Sequence, residues 1–180
     1  MELHLETARL ILRLFEPSDA KMVQSLAGNE EVASTTLSIP HPYPDGAAEA
    51  WIERIRNAFQ TGDIYSFAIV NKVDKMVIGC VSLRVSKIEN QAELAYWVGR
   101  HFWGQGYATE AAQRVVKFGF EELALKCINA AAMLRNPASY KVMQKIGMKP
   151  KDNFSKQVLK SGVYEDLVHY GLVKSDVIKG

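Results

Sequence analysis

The stretch His101-Phe102-Trp103-Gly104-Gln105-Gly106-Tyr107-Ala108-Thr109-Glu110 places two glycines one residue apart at the head of an amphipathic pattern. Ala108, Ala111, Ala112, Val115, Gly119 and Leu123 recur behind it at helical spacing. Glu93-Leu94-Ala95-Tyr96-Trp97-Val98 reads as a strand ahead of it. A strand, a glycine turn and a helix N-terminus present unpaired N–H groups and the positive end of a dipole, a combination that suits an anion and above all a phosphate. A lone Gly-x-Gly serves an ordinary tight turn equally well. Farther along, Asn136-Pro137-Ala138-Ser139 begins a second helix in which Asn136 suits an N-cap and Pro137 the first helical position.

The glycine turn excludes two familiar phosphate sites. A P-loop needs Gly-Lys-Ser/Thr, and here Gly106 is followed by Tyr107-Ala108. A dinucleotide fingerprint needs a third glycine and the first strand of a parallel sheet, whereas this turn follows a meander of three strands. The net charge of +2 does not mark a nucleic-acid binder, and no apolar run reaches the length of a membrane span. The four histidines show no metal-ligand spacing, and of the two cysteines Cys80 sits in a strand-like run and reads as a small buried hydrophobe. The start, Met1 to Glu6, lacks the pattern of a signal peptide. The expectation is one cytoplasmic, metal-free domain spanning residues 1–180, without nucleic-acid or membrane partners.

The elements that must position these residues read as follows. Leu3 to Phe15 alternates as one strand, with Leu10, Leu12 and Leu14 on one side. Glu16-Pro17-Ser18-Asp19 starts a helix carrying Ala20, Val23 and either Leu26 or Ala27. Residues 28–46 are the least regular stretch, and Ile39 to Gly46, with three prolines, reads as a loop or extended arm. Ala48, Trp51, Ile52, Ile55 and Phe59 form a helix face; Trp51 and Phe59 suit either core or a homodimer interface. Three antiparallel strands follow, at 65–71, 76–85 and 91–99, with Gly79 a candidate bulge or close approach. Residues 127–133 form a strand reached by a right-handed crossover, parallel to the third of these. The second helix buries Ala138, Val142, Met143 and Ile146 and stops at Gly147, before two strands at 153–160 and 163–173 flanking Ser161-Gly162.

Trp103-Gly104-Gln105-Gly106-Tyr107-Ala108-Thr109-Glu110-Ala111 resembles the acetyl-CoA-binding signature of the GNAT superfamily of N-acetyltransferases. Asn136-Pro137-Ala138-Ser139 leading to Lys145-Ile146-Gly147-Met148 resembles that superfamily's second motif. Thr7-Ala8-Arg9-Leu10-Ile11-Leu12-Arg13 and Tyr164-Glu165-Asp166 resemble its ribosomal-protein Nα-acetyltransferase branch. The resemblance spans essentially the whole chain. It implies a mixed α/β (α+β) fold: a mostly antiparallel twisted sheet of about seven strands, helices on both faces, splayed between the fourth and fifth strands. It implies direct transfer of an acetyl group from acetyl-CoA to an amine. It implies that N–H groups from Trp103, Gly104, Gln105, Gly106, Tyr107, Ala108 and Thr109 hold the pyrophosphate, and that pantetheine pairs with the strand edge at Trp97 and Val98. It places Asn136 against pantetheine, an alternative to its capping role, and Ser139 near the CoA sulfur, where it can protonate the leaving thiolate. It offers Glu93 as general base, and partial burial beside Tyr96 and Trp97 would raise its pKa toward that task.

Two positions depart from the superfamily's pattern. His101, beside Arg100, stands where glutamine or arginine is common, and Met143 stands where many members carry an acidic tyrosine, with Tyr140 shifted by about one turn of helix. Arg100, His101 and Arg135 read either as phosphate contacts or as surface charges. Thr35, Thr36, His41, Tyr43, Trp51, Tyr164 and Asp166 are candidates for shaping the acceptor site. The acceptor expected first is a protein N-terminal amine, and second a small-molecule amine such as a polyamine or an antibiotic. A CoA-binding sensor without catalysis is the reading from another class.

Overall fold

The computed structural model describes residues 3–151 and 158–177. Its strands are β1 (His4–Glu6), β2 (Leu10–Leu14), β3 (Ile64–Asn71), β4 (Val77–Ser86), β5 (Gln91–Val98), β6 (Cys127–Met133), β7 (Lys149–Pro150), β8 (Val158–Lys160), β9 (Val163–Glu165) and β10 (Leu167–Val173). Its α-helices are α1 (Ala20–Ala27), α2 (Glu30–Ser34), α3 (Ala47–Gln60), α4 (Tyr107–Glu121), α5 (Pro137–Lys145) and α6 (Lys174–Val177). One mixed sheet runs β1-β2-β3-β4-β5-β6-β10-β7, and β8 pairs with β9 in a separate hairpin. Among the described residues only β5 and β6 pair in parallel, and the other ladders are antiparallel.

Strand alternation gives the sheet two apolar faces. Leu10, Leu12, Phe67, Ile69, Val81, Leu83 and Leu94 meet Ala111, Ala112, Val115 and Phe118 of α4 in one core. Phe15, Ala68, Val70, Val77 and Cys80 meet Val23 of α1 and Ala48, Ile52 and Ile55 of α3 in the other. Trp51 and Phe59, left open between core and interface, both pack inward: Trp51 lies edge-on to Phe15 at 4.9 Å and Phe59 edge-on to Tyr65 at 5.6 Å. Cys80 is buried, and burial pushes its thiol well above the usual range, which removes it from nucleophilic chemistry.

Several sequence expectations are corrected. The single strand over Leu3–Phe15 is a hairpin, with Leu5 opposite Leu12. Thr7 closes its turn, bonding Leu10 through backbone N–H to O at 3.0 Å and through Leu10 N–H to Thr7 Oγ1 at 2.9 Å. The irregular stretch at 28–46 contains α2, capped where the Asn29 side chain accepts the Val32 N–H, with Val32 and Ala33 buried, while Ile39 to Gly46 forms neither helix nor strand, as expected. The strand at 163–173 breaks at Asp166, because β9 pairs with β8 while β10 pairs with β6. The start of the preceding strand at Asn153 lies outside the described residues. Ala138 is exposed, and Tyr140 takes its place on the packed side of α5 with Val142, Met143 and Ile146.

Gly79 is both bulge and close approach. The β3–β4 register slips beside it, and a Cβ there would lie 2.3 Å from Trp97 O and 2.9 Å from Val98 Cα. Gly119 is different: the three atoms nearest its Cβ would be the side-chain ends of Ile128, Leu83 and Leu125, at 2.9, 3.1 and 3.2 Å. Gly79→Ala should therefore lower the unfolding free energy by about 2–3 kcal/mol, because backbone cannot yield as side chains do. Gly119→Ala should stay within about 1 kcal/mol of wild type, since the gain in helix propensity offsets the crowding. Urea midpoints of the two variants test the contrast.

Candidate active site

The parallel ladder between β5 and β6 pairs Gln91 with Cys127, Ala92 with Ile128 and Glu93 with Asn129, and the paired register ends there. Beyond it the two strands part. The Gly99 N–H faces β4, donating to Ile78 O at 2.8 Å, so alternation turns the backbone groups of Val98 and Tyr96 the other way, into the gap. The Val98 C=O accepts the Trp103 indole N–H at 2.7 Å. The expected splay is present at the expected strands, which are the fifth and sixth because the first strand is two.

The glycine turn lies at the mouth of this gap. After β5 the chain makes a 3-10 turn at Arg100–Phe102 and then enters α4 through Gly104 and Gly106, with φ of +75° and +79°. Glycine adopts that left-handed backbone without the steric cost of a Cβ. No side chain caps α4, so the N–H groups of its first turn face outward without an intrahelical acceptor. Helix α5 also begins at the mouth, since β5 and β6 are parallel and both lead toward it. Residues 103–109 and the start of α5 are thus brought together.

Glu93 is exposed, not partly buried as expected. Tyr96 sits on the opposite face of β5, against the α4 and α5 side, so it cannot cover Glu93; Trp97 shares Glu93's face but packs toward α1 and α3. Asn136 does not cap α5. Its side-chain amide donates to Thr35 O at 3.3 Å, tying α5 to the end of α2. Arg135 makes a parallel tie, donating to Ser34 O at 2.7 Å and to Glu165 Oε1 at 2.8 Å. Arg100 pairs with Glu31 at 2.7 Å and lies over the Trp103 ring at 4.8 Å, while His101 is exposed. Met143 is buried in the core, and Tyr140 stacks on Tyr170 with centroids 6.4 Å apart. Among the acceptor-site candidates, Trp51 and Tyr43 pack on the α1–α3 core, Thr35 and Thr36 bond back to Val32 O and Ala33 O, and His41, Tyr164 and Asp166 are exposed.

Two groups escaped the sequence reading. The Tyr96 hydroxyl donates to Ser139 O at 2.7 Å and accepts from Ser139 Oγ at 3.3 Å, bridging β5 to α5 across the parting strands. Burial pushes its phenol up to about 12, against the smaller opposing effect of Ser139, so it stays protonated. Its even position in β5, in step with Leu94 and Val98, was the available signal. The second group is Glu110 in the first turn of α4. It accepts from Thr7 Oγ1 at 2.6 Å, Arg9 N at 2.9 Å and Arg9 Nε at 2.7 Å. Burial opposes its charge, but the bonds from Thr7 and Arg9 outweigh it and hold the carboxyl below the usual glutamate range.

A parted parallel pair with an uncapped glycine-led helix at its mouth coincides with a match to the GNAT acetyltransferase domain model over residues 9–149. The chain belongs to this family. It is an acetyl-CoA-dependent N-acetyltransferase by that membership. A Bacillus subtilis (strain 168) relative named as an uncharacterized N-acetyltransferase, YnaD, is 26% identical over 175 residues, covering 97% of this chain and 99% of its own. The solved structure of a ribosomal-protein-S5-alanine acetyltransferase from Vibrio fischeri superposes with a TM-score of 0.84 at 20% identity, covering 97% and 98% of the two chains. Spermidine N-acetyltransferase from Vibrio cholerae, solved with CoA and spermine, superposes at 0.82 with 21% identity, covering 96% and 99%. At those identities the two structures share this acetyltransferase's fold. No helix among the described residues is long and apolar enough to cross a membrane, and no cluster of metal-ligating side chains is found there.

Two expectations follow for the enzyme. Tyr96→Phe should cost about 1 kcal/mol in denaturant unfolding, the net worth of a partly buried hydrogen bond. Glu110 has a depressed folded-state pKa, so its contribution is present above the usual glutamate range and lost as pH falls through the depressed value. The stability gap between wild type and Glu110→Gln should be widest near neutrality and close below about pH 4. Thermal unfolding across pH measures it.

Proposed function

We propose that this N-acetyltransferase transfers the acetyl group of acetyl-CoA to the α-amine of a protein N-terminus by direct attack in a ternary complex. The observation that carries the reading is the gap between β5 and β6 with the glycine turn at its mouth. N–H groups over residues 103–109 hold the pyrophosphate, where the dipole of α4 favours negative charge. Pantetheine lies along the free edge of β5 at Trp97 and Val98, beside Asn136, and an N–H at Val98 polarises the thioester carbonyl. The amine nitrogen attacks that carbon, the carbon–sulfur bond breaks, and the amine loses a proton while the sulfur gains one. Ser139 Oγ–H donates a hydrogen bond to the departing thiolate, which takes its proton from water: the 3.3 Å bond of Ser139 to Tyr96 is long enough to exchange for a stronger one to a thiolate, while Tyr96 keeps its bond to Ser139 O. Glu93, exposed where the strands part, takes the amine proton through water.

A protein acceptor is favoured by the surface around the gap. The β8–β9 hairpin exposes Leu159, Val163 and Tyr164, and the end of β6 exposes Leu134, an apolar lip suited to a polypeptide. The likeness to the spermidine enzyme supports the second reading, a small-molecule amine.

Thiol release from acetyl-CoA, measured against peptides of varied N-terminal residue, polyamines and aminoglycosides, tests the proposal. Peptide-dependent release is the expected result. Release only with polyamines overturns the acceptor, and tight acetyl-CoA binding with no release for any amine favours the sensor. Ser139→Ala should lower kcat about tenfold with little change in KM for acetyl-CoA, and Glu93→Gln should lower kcat with little change in KM for acetyl-CoA.

A further inference from the structure

The clamp on Glu110 does more than join two elements. Arg9 Nε donates to Glu110 Oε2 at 2.7 Å, and Arg9 Nη1 donates to Gln105 O, inside the glycine turn, at 2.9 Å. The guanidinium lies over the Tyr107 ring at 4.4 Å, and its Nη2 would sit 3.5 Å from a Cβ at Gly106. One side chain therefore reaches residues 105, 106, 107 and 110, from the second half of the glycine turn to the first turn of α4. Its base is fixed too. The Lys72 N–H donates to Arg9 O at 2.9 Å and Lys72 Nζ to Thr7 O at 2.7 Å, pinning the β1–β2 turn to the end of β3.

Charge makes this arrangement informative. Glu110 is a carboxylate in the first turn of the helix whose N-terminus is to hold a phosphate. An unpaired carboxylate there would repel the ligand. Here three donors consume it, and it serves instead to hold the arginine that braces the turn. The left-handed glycines leave that turn many backbone states, so an external brace reduces the ordering left for the ligand to bring about.

We propose that Arg9 and Glu110 are positioning residues for the nucleotide end of acetyl-CoA, holding the Gly104–Gly106 turn in its anion-binding shape. This rests on the reading that the turn receives the pyrophosphate. It predicts an unusual sign: removing a negative charge from beside an anion site weakens anion binding.

The test compares dissociation constants for acetyl-CoA and for S-acetylpantetheine, which lacks the diphosphate, by calorimetry on the full chain, with folding checked by circular dichroism. Arg9→Ala should weaken acetyl-CoA about tenfold, the worth of one charge-assisted hydrogen bond, and leave S-acetylpantetheine unchanged. Arg9→Lys should fall between, because a point charge cannot bridge Glu110 and Gln105 O at once. Glu110→Gln, the milder variant should Arg9→Ala fail to fold, should weaken acetyl-CoA about threefold. Tighter acetyl-CoA binding by Glu110→Gln overturns the proposal, as does equal weakening of both ligands in Arg9→Ala. Wild-type protein that binds the two ligands equally overturns the pyrophosphate reading of the turn, and the clamp's role with it.

Discussion

Beyond Glu93 and Asn129, β5 and β6 stop pairing, and a sheet that loses a ladder in its middle leaves backbone donors and acceptors that need other partners. Much of the architecture answers that constraint. The Val98 carbonyl is taken by Trp103, Tyr96 reaches across to Ser139, and Arg135 and Asn136 tie the far lip to the end of α2. The gap is held open by side chains spanning it at its rim, while both cores stay closed on either face of the sheet. Gly79 belongs to the same device: its missing Cβ lets β4 press on Trp97 and Val98 from behind, which fixes the strand edge that faces the gap.

The two helices at the mouth divide the work. Helix α4 is led in by left-handed glycines and has no side-chain cap, so its entrance has donors to spare and needs bracing. The brace comes from the far edge of the sheet, where β1 and β2 turn through Thr7 and Arg9. Helix α5 starts with proline and directs the amide of Asn136 away from its own backbone. Its first turn is secured by tertiary ties, which leaves Ser139 facing the tyrosine of β5. An element's end that would ordinarily be satisfied locally is here satisfied by distant chain. That is the expected pattern where backbone must be presented to a ligand.

The chemistry inferred for this enzyme uses few ionisable side chains. Tyr96 remains a phenol because it is buried, Met143 is sealed in the core, and Glu93 stands in solvent. Positioning by backbone N–H groups and helix dipoles accounts for most of what the gap offers a thioester, in keeping with a reaction whose nucleophile is supplied by the acceptor.

Local pattern was enough for much of this. The helical repeat from Ala108 to Leu123, the three alternating strands, the crossover to a parallel strand and the Gly104-Gln105-Gly106 turn are set by side-chain periodicity and backbone sterics, which act over a few residues and can be read along the chain. The order of those elements, together with the motif they carry, was enough for the family. What the chain order could not supply are contacts between residues far apart: Arg9 with Glu110, Tyr96 with Ser139, Asn136 with Thr35. Each involves a polar side chain whose residue type suits a local role equally well, a solvated charge, a strand aromatic or a cap. The parity change between Leu5 and Leu10 was visible, yet only the pairing of β1 with β2, Leu5 opposite Leu12, turned one expected strand into a hairpin. Local forces determined which elements form. The packing of the sheet decided which polar groups meet, because burial and the loss of a ladder act only once the chain has folded back on itself.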